Sequence, residues 1–371
     1  MIGPTGGAGS LPPYLDVLAE GLRRLGVRVD RLGAPSVPYD QTTSTFWPVD
    51  RIIEAAEELL SAVDLNAYDL LSVHYGNLEV EQVIAALWLG AHTPPTVYHV
   101  HSLDWTLFAD HVPDPELRSA VESSIHRMDG LVFFGEYGRT QLARKHNVDV
   151  ATTVAWLPST IPARTLANPG PLRSVLTVDH GPLASLYGYA APWKHTAGLI
   201  AACQKTKNPS HVIIAGPFWD SPIEAGADLT QEAESGVKHG RAHLDVVAAY
   251  LYPQHRKALV QASDFAVFPY RSVPTFQGSG AIADYLAHGV PILATEVANM
   301  AELIGDAGQV VTANDPDAFA LSIDQLVSDP QYRNTLRRNA NRRATQFTGL
   351  QHAANCLRLY DTVIARTKRA T

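Results

Sequence analysis

Cysteine is almost missing from this chain: Cys203 and Cys356 are the only two in 371 residues. Two thiols so far apart make neither a disulfide framework nor a zinc-ligand spacing, and a reducing cytoplasm is the simplest address they suggest. Long apolar runs are missing too, none approaching the roughly 20 residues that cross a bilayer. The opening Met1-Ile2-Gly3-Pro4-Thr5-Gly6-Gly7 lacks the basic and apolar regions of a signal peptide. Basic charge is not in excess: 29 Lys and Arg face 37 Asp and Glu, a net charge of -8. That balance argues against non-specific nucleic-acid binding and leans away from an anionic membrane. There is no internal repeat and no low-complexity tract. What remains is 46% hydrophobic and 18% charged, the composition of a well-cored globular protein long enough for two domains.

Apolar strand-like runs alternate with amphipathic helical patterns. The spacing predicts helices over residues 14–25, 52–63, 80–89 and 116–128, and strands over 27–32, 70–74, 96–101 and 130–134. Such alternation implies parallel strands joined by crossover helices, hence an α/β sheet. The pattern pauses at Leu157-Pro158-Ser159 and stays polar, with Pro162, Pro169 and Pro171, which marks a domain boundary near residue 165. It then restarts, with strands predicted over 185–189, 211–215 and 244–249 and helices over 196–204 and 254–262. The chain is helical after Asp315. A doubly wound domain normally opens on a strand, yet only Met1 and Ile2 precede Gly3. A first strand that is very short, or that begins upstream, is expected.

The most informative stretch runs from Phe265 to Ala294. It reads as a buried strand (265–268), a loop, the turn Gly278-Ser279-Gly280, a short helix and a second buried strand (291–294). The turn sets backbone N–H groups and the positive end of a helix dipole at one place, which suits a phosphate or diphosphate. Asp284 falls about one turn into that helix. A carboxylate beside a phosphate cradle is expected to accept hydrogen bonds from ribose hydroxyls, so the pairing points to a nucleotide.

These residues, with the two tandem α/β halves, resemble the retaining family 4 (group 1) glycosyltransferases. The resemblance covers nearly the whole chain. It implies the GT-B fold, two Rossmann-like domains facing a central cleft, here an acceptor-side domain 1–165 and a nucleotide-sugar domain 166–350. The final helix, 351–371, is expected to cross back to the first domain. In that family a loop and helix carry Glu, seven residues, then Glu. The matching positions here are Gln277 and Asp284, and both depart from the pattern. Gly6, Gly7 and Gly9 resemble the loop that approaches the donor diphosphate. Val100-His101-Ser102 resembles the strand end that places a histidine near the donor hexose. Tyr187-Gly188-Tyr189-Ala190-Ala191-Pro192-Trp193-Lys194 resembles the diphosphate loop, with Lys194 matching its lysine and Tyr189 replacing its arginine.

The resemblance implies a hexosyltransferase-like enzyme that moves a sugar from a UDP- or GDP-linked donor to a hydroxyl of a small polar or glycan acceptor. Donors aimed at the leaving diphosphate would be the main catalytic lever. His101, Lys194 and Gln277 are the expected catalytic residues. Lys194, Gln277, Gly278, Ser279, Gly280, Ala281 and Asp284 are the expected nucleotide-sugar contacts, and His74, at a strand end, is an expected acceptor contact. Most members of that family work without a metal, so neither metal nor cofactor is expected. His99 and His101 form a His-x-His on one strand face, and with Asp104 or His111 they make the only metal site the sequence suggests. The altered Gln277 and Tyr189 keep two alternatives open: a sugar-nucleotide epimerase or coupling enzyme on the same scaffold, and a degenerate nucleotide-sugar-binding partner. A dinucleotide oxidoreductase fits less well, because Gly7-Ala8-Gly9 is followed by Pro12 where the fingerprint needs a third glycine.

Overall fold

The computed structural model describes residues 1–5, 10–34, 49–75, 83–85, 94–103, 112–145, 149–188, 192–216, 237–273 and 278–370. The chain forms two compact units. The first comprises Met1–Leu157, Pro274–Gly278 and Gly349–Thr371, and the second Pro158–Val273 with Ser279–Thr348.

The first unit is built on four parallel strands in the order β1 (Leu71–Tyr75), β2 (Thr96–Val100), β3 (Gly130–Phe133) and β4 (Ala151–Val154). Its helices are α1 (Leu11–Arg24), α2 (Val49–Ser61), α3 (Pro115–Ser123) and α4 (Glu136–Lys145), joined by the C-terminal helix Gly349–Ala370. Strand side chains alternate between faces, and the core divides accordingly. Tyr98, Val100, Leu131 and Phe133 pack with Ile52 and Ala56 of α2 and Leu117 and Val121 of α3. Val97 and Val132, on the other face, pack with Leu15, Leu18 and Leu22 of α1 and with Cys356, Leu359, Tyr360 and Val363 of the C-terminal helix. That helix lies close against α1, because a methyl group on Gly21 would sit 2.6 Å from the Gly349 carbonyl oxygen.

Where an opening strand is expected, Ile2 alone makes parallel bridges to Leu32 and Val73. Residues 27–32 do not form the expected strand; only Leu32 pairs, donating its amide to the Met1 carbonyl at 2.9 Å. The helix expected over 80–89 is described only at 83–85.

The second unit is a seven-stranded sheet in the order β11-β10-β9-β5-β6-β8-β7, parallel except where β7 (Val237–His239) runs against β8 (Ala242–Val247). The other strands are β5 (Leu183–Tyr187), β6 (Ser210–Ala215), β9 (Phe265–Phe268), β10 (Ile292–Thr295) and β11 (Gly308–Val311). The connecting helices are α5 (Thr196–Cys203), α6 (Pro253–Ala262), α7 (Gly280–Ala287), α8 (Met300–Ile304), α9 (Pro316–Ser328) and α10 (Pro330–Arg343). Strands β5, β6, β9 and β10 are buried along their whole length, as parallel strands covered on both faces must be. Residues 158–165 group with this unit, not with the first as the polar stretch near 165 suggests. Ser159 and Thr160 are held there by hydrogen bonds to Asp284.

Candidate active site

The carboxyl ends of β5 and β9 carry the candidate site, the place where open parallel sheets bind ligands. Strand β5 runs out at Tyr187 into Gly188, whose φ of +114° lies in the region glycine favours. A methyl group at Gly188 would collide with Nζ of Lys194, so the amine reaches back over the strand end. Burial draws that amine from the usual 10.5 down to about 7. The next residue, His195, takes a left-handed backbone (φ +51°) as the N-cap of α5. Its ring hydrogen-bonds the Pro269 backbone, and its pKa is lowered, first by burial and then by the Arg271 charge.

Strand β9 delivers the other half. Arg271 is exposed and donates its backbone amide to the Trp193 carbonyl at 2.8 Å, which stitches the loop after β9 to the loop before α5. The Tyr270 carbonyl accepts from Thr295 Oγ1 at 2.6 Å, and the Tyr270 hydroxyl lies 3.5 Å from Ser279 Oγ. Ser279 is the N-cap of α7, yet its side chain makes no capping bond. A methyl group at Gly280 would meet nothing within 4 Å among the described residues, which leave the start of α7 open. Lys194, Arg271 and the N-terminus of α7 thus gather positive potential in one unit, with His195 a neutral ring among them. Gly278 is half-buried, Gly280 is exposed and Ala281 is half-buried. Gly6, Gly7, Gly9, Tyr189 and Gln277 lie outside the described residues, as do Asp104 and His111.

Asp284 is a correction. Expected to meet ribose hydroxyls, it has no exposed surface. Its Oδ1 accepts from Ser159 Oγ at 2.7 Å and from the Thr160 amide at 2.6 Å. Its Oδ2 accepts from the Tyr187 hydroxyl, from Thr160 Oγ1 at 3.4 Å and from Arg256 Nη1 at 3.2 Å. A carboxylate with two oxygens and five protein donors is a structural junction with no free face for a sugar. Arg256, nine-tenths buried, also donates to Thr160 Oγ1 at 2.7 Å. Sequence reading missed Tyr187, Ser159, Thr160 and Arg256 as partners of Asp284; nothing in their spacing connects them.

In the first unit, His74 is the penultimate residue of β1, His99 lies beside it on β2, and His101 follows the end of β2. His74 and His99 are fully buried, and neither is exposed to an acceptor. The role expected of His74 as an acceptor contact is therefore not supported. Burial, reinforced by the neighbouring imidazoles, lowers the pKa of both rings. Burial holds His101 near 3 and His352 near 4, so all four rings are neutral at pH 7. Ligand atoms of His99, His352 and Cys356 lie within 4.8 Å of one another. A metal does not fit there: the Tyr14 hydroxyl is already bonded at 2.8 Å to both His99 Nδ1 and His352 Nε2. The chain has one Asp-x-Asp spacing, Asp315-Pro316-Asp317, and it starts a helix. Asp315 caps α9 by accepting from the Ala318 amide at 2.9 Å, while Asp317 pairs with Lys205 at 2.8 Å.

Residues 184–329 match the family described as glycosyl transferases group 1. The chain is 25% identical over 242 residues to O-antigen chain mannosyltransferase B of Escherichia coli, covering 62% of this chain and 60% of that protein. It is 24% identical to D-inositol 3-phosphate glycosyltransferase of Corynebacterium urealyticum over 96% of this chain and 91% of that one. Among solved structures, sucrose-phosphate synthase from Thermosynechococcus elongatus superposes with a TM-score of 0.72 at 19% identity, covering 98% of each chain. Anabaena HepE in complex with UDP-glucose gives a TM-score of 0.63 at 17% identity, covering 100% of this chain and 98% of that one. These structures share the fold of two α/β units.

Proposed function

We infer the activity from one premise: the chain has the GT-B fold, and residues 184–329 are a group 1 glycosyl transferase domain. On that premise it moves a sugar from a nucleoside-diphosphate donor to a hydroxyl of an acceptor. The observation that carries the reading is the open start of α7, whose Ser279 meets the Tyr270 hydroxyl, while the amide of the next residue, Arg271, is tied to the Trp193 carbonyl in the loop that carries Lys194. In glycosyl transfer the bond from the anomeric carbon to the diphosphate oxygen breaks, and negative charge grows on that oxygen. On this reading the amides of Gly280 and Ala281, the α7 dipole and Lys194 receive it. Lys194 at a pKa near 7 takes up a proton when the diphosphate arrives, because an adjacent anion favours the charged amine.

The finer reading is transfer with retention, the leaving phosphate oxygen accepting the proton of the attacking hydroxyl on the same face. No second carboxylate at the anomeric carbon is then needed, in contrast to hydrolases with a facing pair. His101 contacts the donor sugar. Charge on the leaving group is met by Lys194 and Arg271, and the reaction runs without a divalent metal. UDP is the favoured nucleotide, by analogy with the UDP-glucose complex of a protein of the same fold.

A thermal-shift panel of nucleoside diphosphates and nucleotide sugars tests this. A ligand at 100 times its dissociation constant adds about 2.7 kcal/mol to folding stability. One nucleotide class is expected to raise the melting temperature, and Lys194→Ala to remove most of the rise. No response to any of them would overturn the reading.

A further inference from the structure

Behind His101 the first unit buries a continuous file of polar side chains, and its hydrogen bonds have a direction. His74 Nδ1 lies 3.4 Å from His101 Nε2, the longest step. His74 Nε2 meets Ser72 Oγ at 2.7 Å, and Ser72 Oγ meets the Tyr360 hydroxyl at 2.9 Å. Tyr360 meets His99 Nε2 at 2.7 Å, His99 Nδ1 meets the Tyr14 hydroxyl at 2.8 Å, and Tyr14 meets His352 Nε2 at 2.8 Å. The file ends where His352 Nδ1 meets the Trp156 carbonyl at 2.9 Å.

A carbonyl only accepts, so His352 carries its proton on Nδ1 and leaves Nε2 bare. Tyr14 has one hydroxyl proton and gives it to that bare nitrogen. His99 must then donate from Nδ1, which leaves its Nε2 to accept from Tyr360. The Tyr360 oxygen accepts from Ser72, the Ser72 oxygen accepts from His74 Nε2–H, and the bare His74 Nδ1 accepts from His101 Nε2–H. With every ring neutral, one terminal carbonyl fixes four tautomers.

We propose that this file sets His101 as the Nε2–H tautomer, leaving Nδ1 as a bare acceptor for a ligand hydroxyl, with Ser72, Tyr360, His99, Tyr14 and His352 acting as positioning residues. His101 Nδ1 has no hydrogen-bond partner among the described residues, and the residue keeps partial exposure at the end of β2. A ring of the opposite tautomer would donate from Nδ1 and select a different hydroxyl geometry. That the hydroxyl belongs to a sugar rests on the proposed function; the tautomer does not.

The test is long-range ¹H–¹⁵N correlation on ¹⁵N-histidine-labelled protein at pH 7.5, with His101 assigned by its loss in His101→Gln. Wild type is expected to show Nε2–H at His101 and His74, and Nδ1–H at His99 and His352. Tyr360→Phe frees Ser72 to donate to His74, and Ser72→Ala removes the acceptor of His74 Nε2–H. In either variant His74 and His101 are expected to shift toward Nδ1–H, while His99 and His352 keep Nδ1–H because Trp156 still anchors them. A protein that is merely loosened would not divide its rings in that way. Nδ1–H at His101 in wild type, or a His101 tautomer unmoved in both variants, would overturn the proposal. A nucleotide sugar is then expected to shift the His101 Nδ1 resonance. Binding without such a shift would overturn the hydroxyl contact, whereas failure of any nucleotide to bind counts against the proposed function and leaves the tautomer result standing.

Discussion

At the scale of the residue, burial sets the chemistry of both Lys194 and Asp284. The lysine, nominally a surface cation, is buried enough for its pKa to fall to about 7. The sign of the consequence follows. Below pH 7 the free amine is already charged and nucleotide-sugar affinity is flat. As pH rises above 7, binding must recruit a proton, and affinity is expected to fall by up to tenfold per unit until the bound-state pKa is reached. Nucleotide sugars suit the titration because their diphosphate bears no terminal monoester to titrate. Lys194→Ala is expected to flatten the profile, measured by calorimetry from pH 6 to 9. Asp284, the nominal ligand, holds Ser159, Thr160, Tyr187 and Arg256 together. Removing one member of a buried ion pair leaves the other uncompensated, so Asp284→Ala is expected to cost about 3–5 kcal/mol in chemical denaturation. Nucleotide affinity in the fraction that folds should stay near wild type. The opposite result, lost affinity at unchanged stability, would restore Asp284 as a ribose contact. The Gly-Ser-Gly turn was legible as a helix start, because a glycine-rich turn leads the chain into α7 at Gly280. Asp284 was misread because its partners lie 28 to 125 positions away, and only six residues separate it from Gln277, one fewer than the family interval. One residue on a helix is a rotation of about 100°.

Elements were legible in proportion to how deeply they are buried. The interior strands β5, β6, β9 and β10 are buried on both faces and mostly apolar, and the sequence announces them. The edge strands β4 and β11 are only partly buried, so their composition does not separate them from loop. Helix starts follow local chemistry: Asp315 and Asp329 each accept from an amide three residues on, with proline at the following position. Asp315→Ala is expected to cost about 1 kcal/mol as a lost cap, with no change in the proposed transfer reaction. Two glycines are expected to behave oppositely. Gly21→Val forces side-chain atoms into the backbone of the C-terminal helix and is expected to cost at least roughly 1–3 kcal/mol by overpacking. Gly280→Ala, with nothing within 4 Å, is expected to leave stability unchanged and to weaken nucleotide binding if a phosphate oxygen approaches that backbone.

For the whole molecule, the division of labour is between two units with separate polar machinery. The second gathers cationic groups at its strand ends, and the first carries neutral imidazoles aligned behind one strand end. Neither unit offers, among the described residues, an unengaged set of ligands for a divalent cation: the His-Cys-His trio is tied up by Tyr14, and the lone Asp-x-Asp caps a helix. On the proposed mechanism full transferase activity is expected in excess EDTA, and strict dependence on Mn²⁺ or Mg²⁺ would contradict the account. Product formed from an α-linked donor is expected to keep the α configuration, read from the anomeric proton coupling; an inverted product would remove the same-face mechanism and leave the donor site intact. No described helix is long and apolar enough to cross a membrane.

The most direct measurement is a crystal structure of the protein with the nucleoside diphosphate that most raises its melting temperature. The expected result is a diphosphate whose oxygens lie about 3 Å from the Gly280 and Ala281 amides and from Lys194 Nζ, with Asp284 still closed on Ser159 and Arg256. A diphosphate seated away from the start of α7, or an α7 terminus filled by the protein's own side chains, would contradict it.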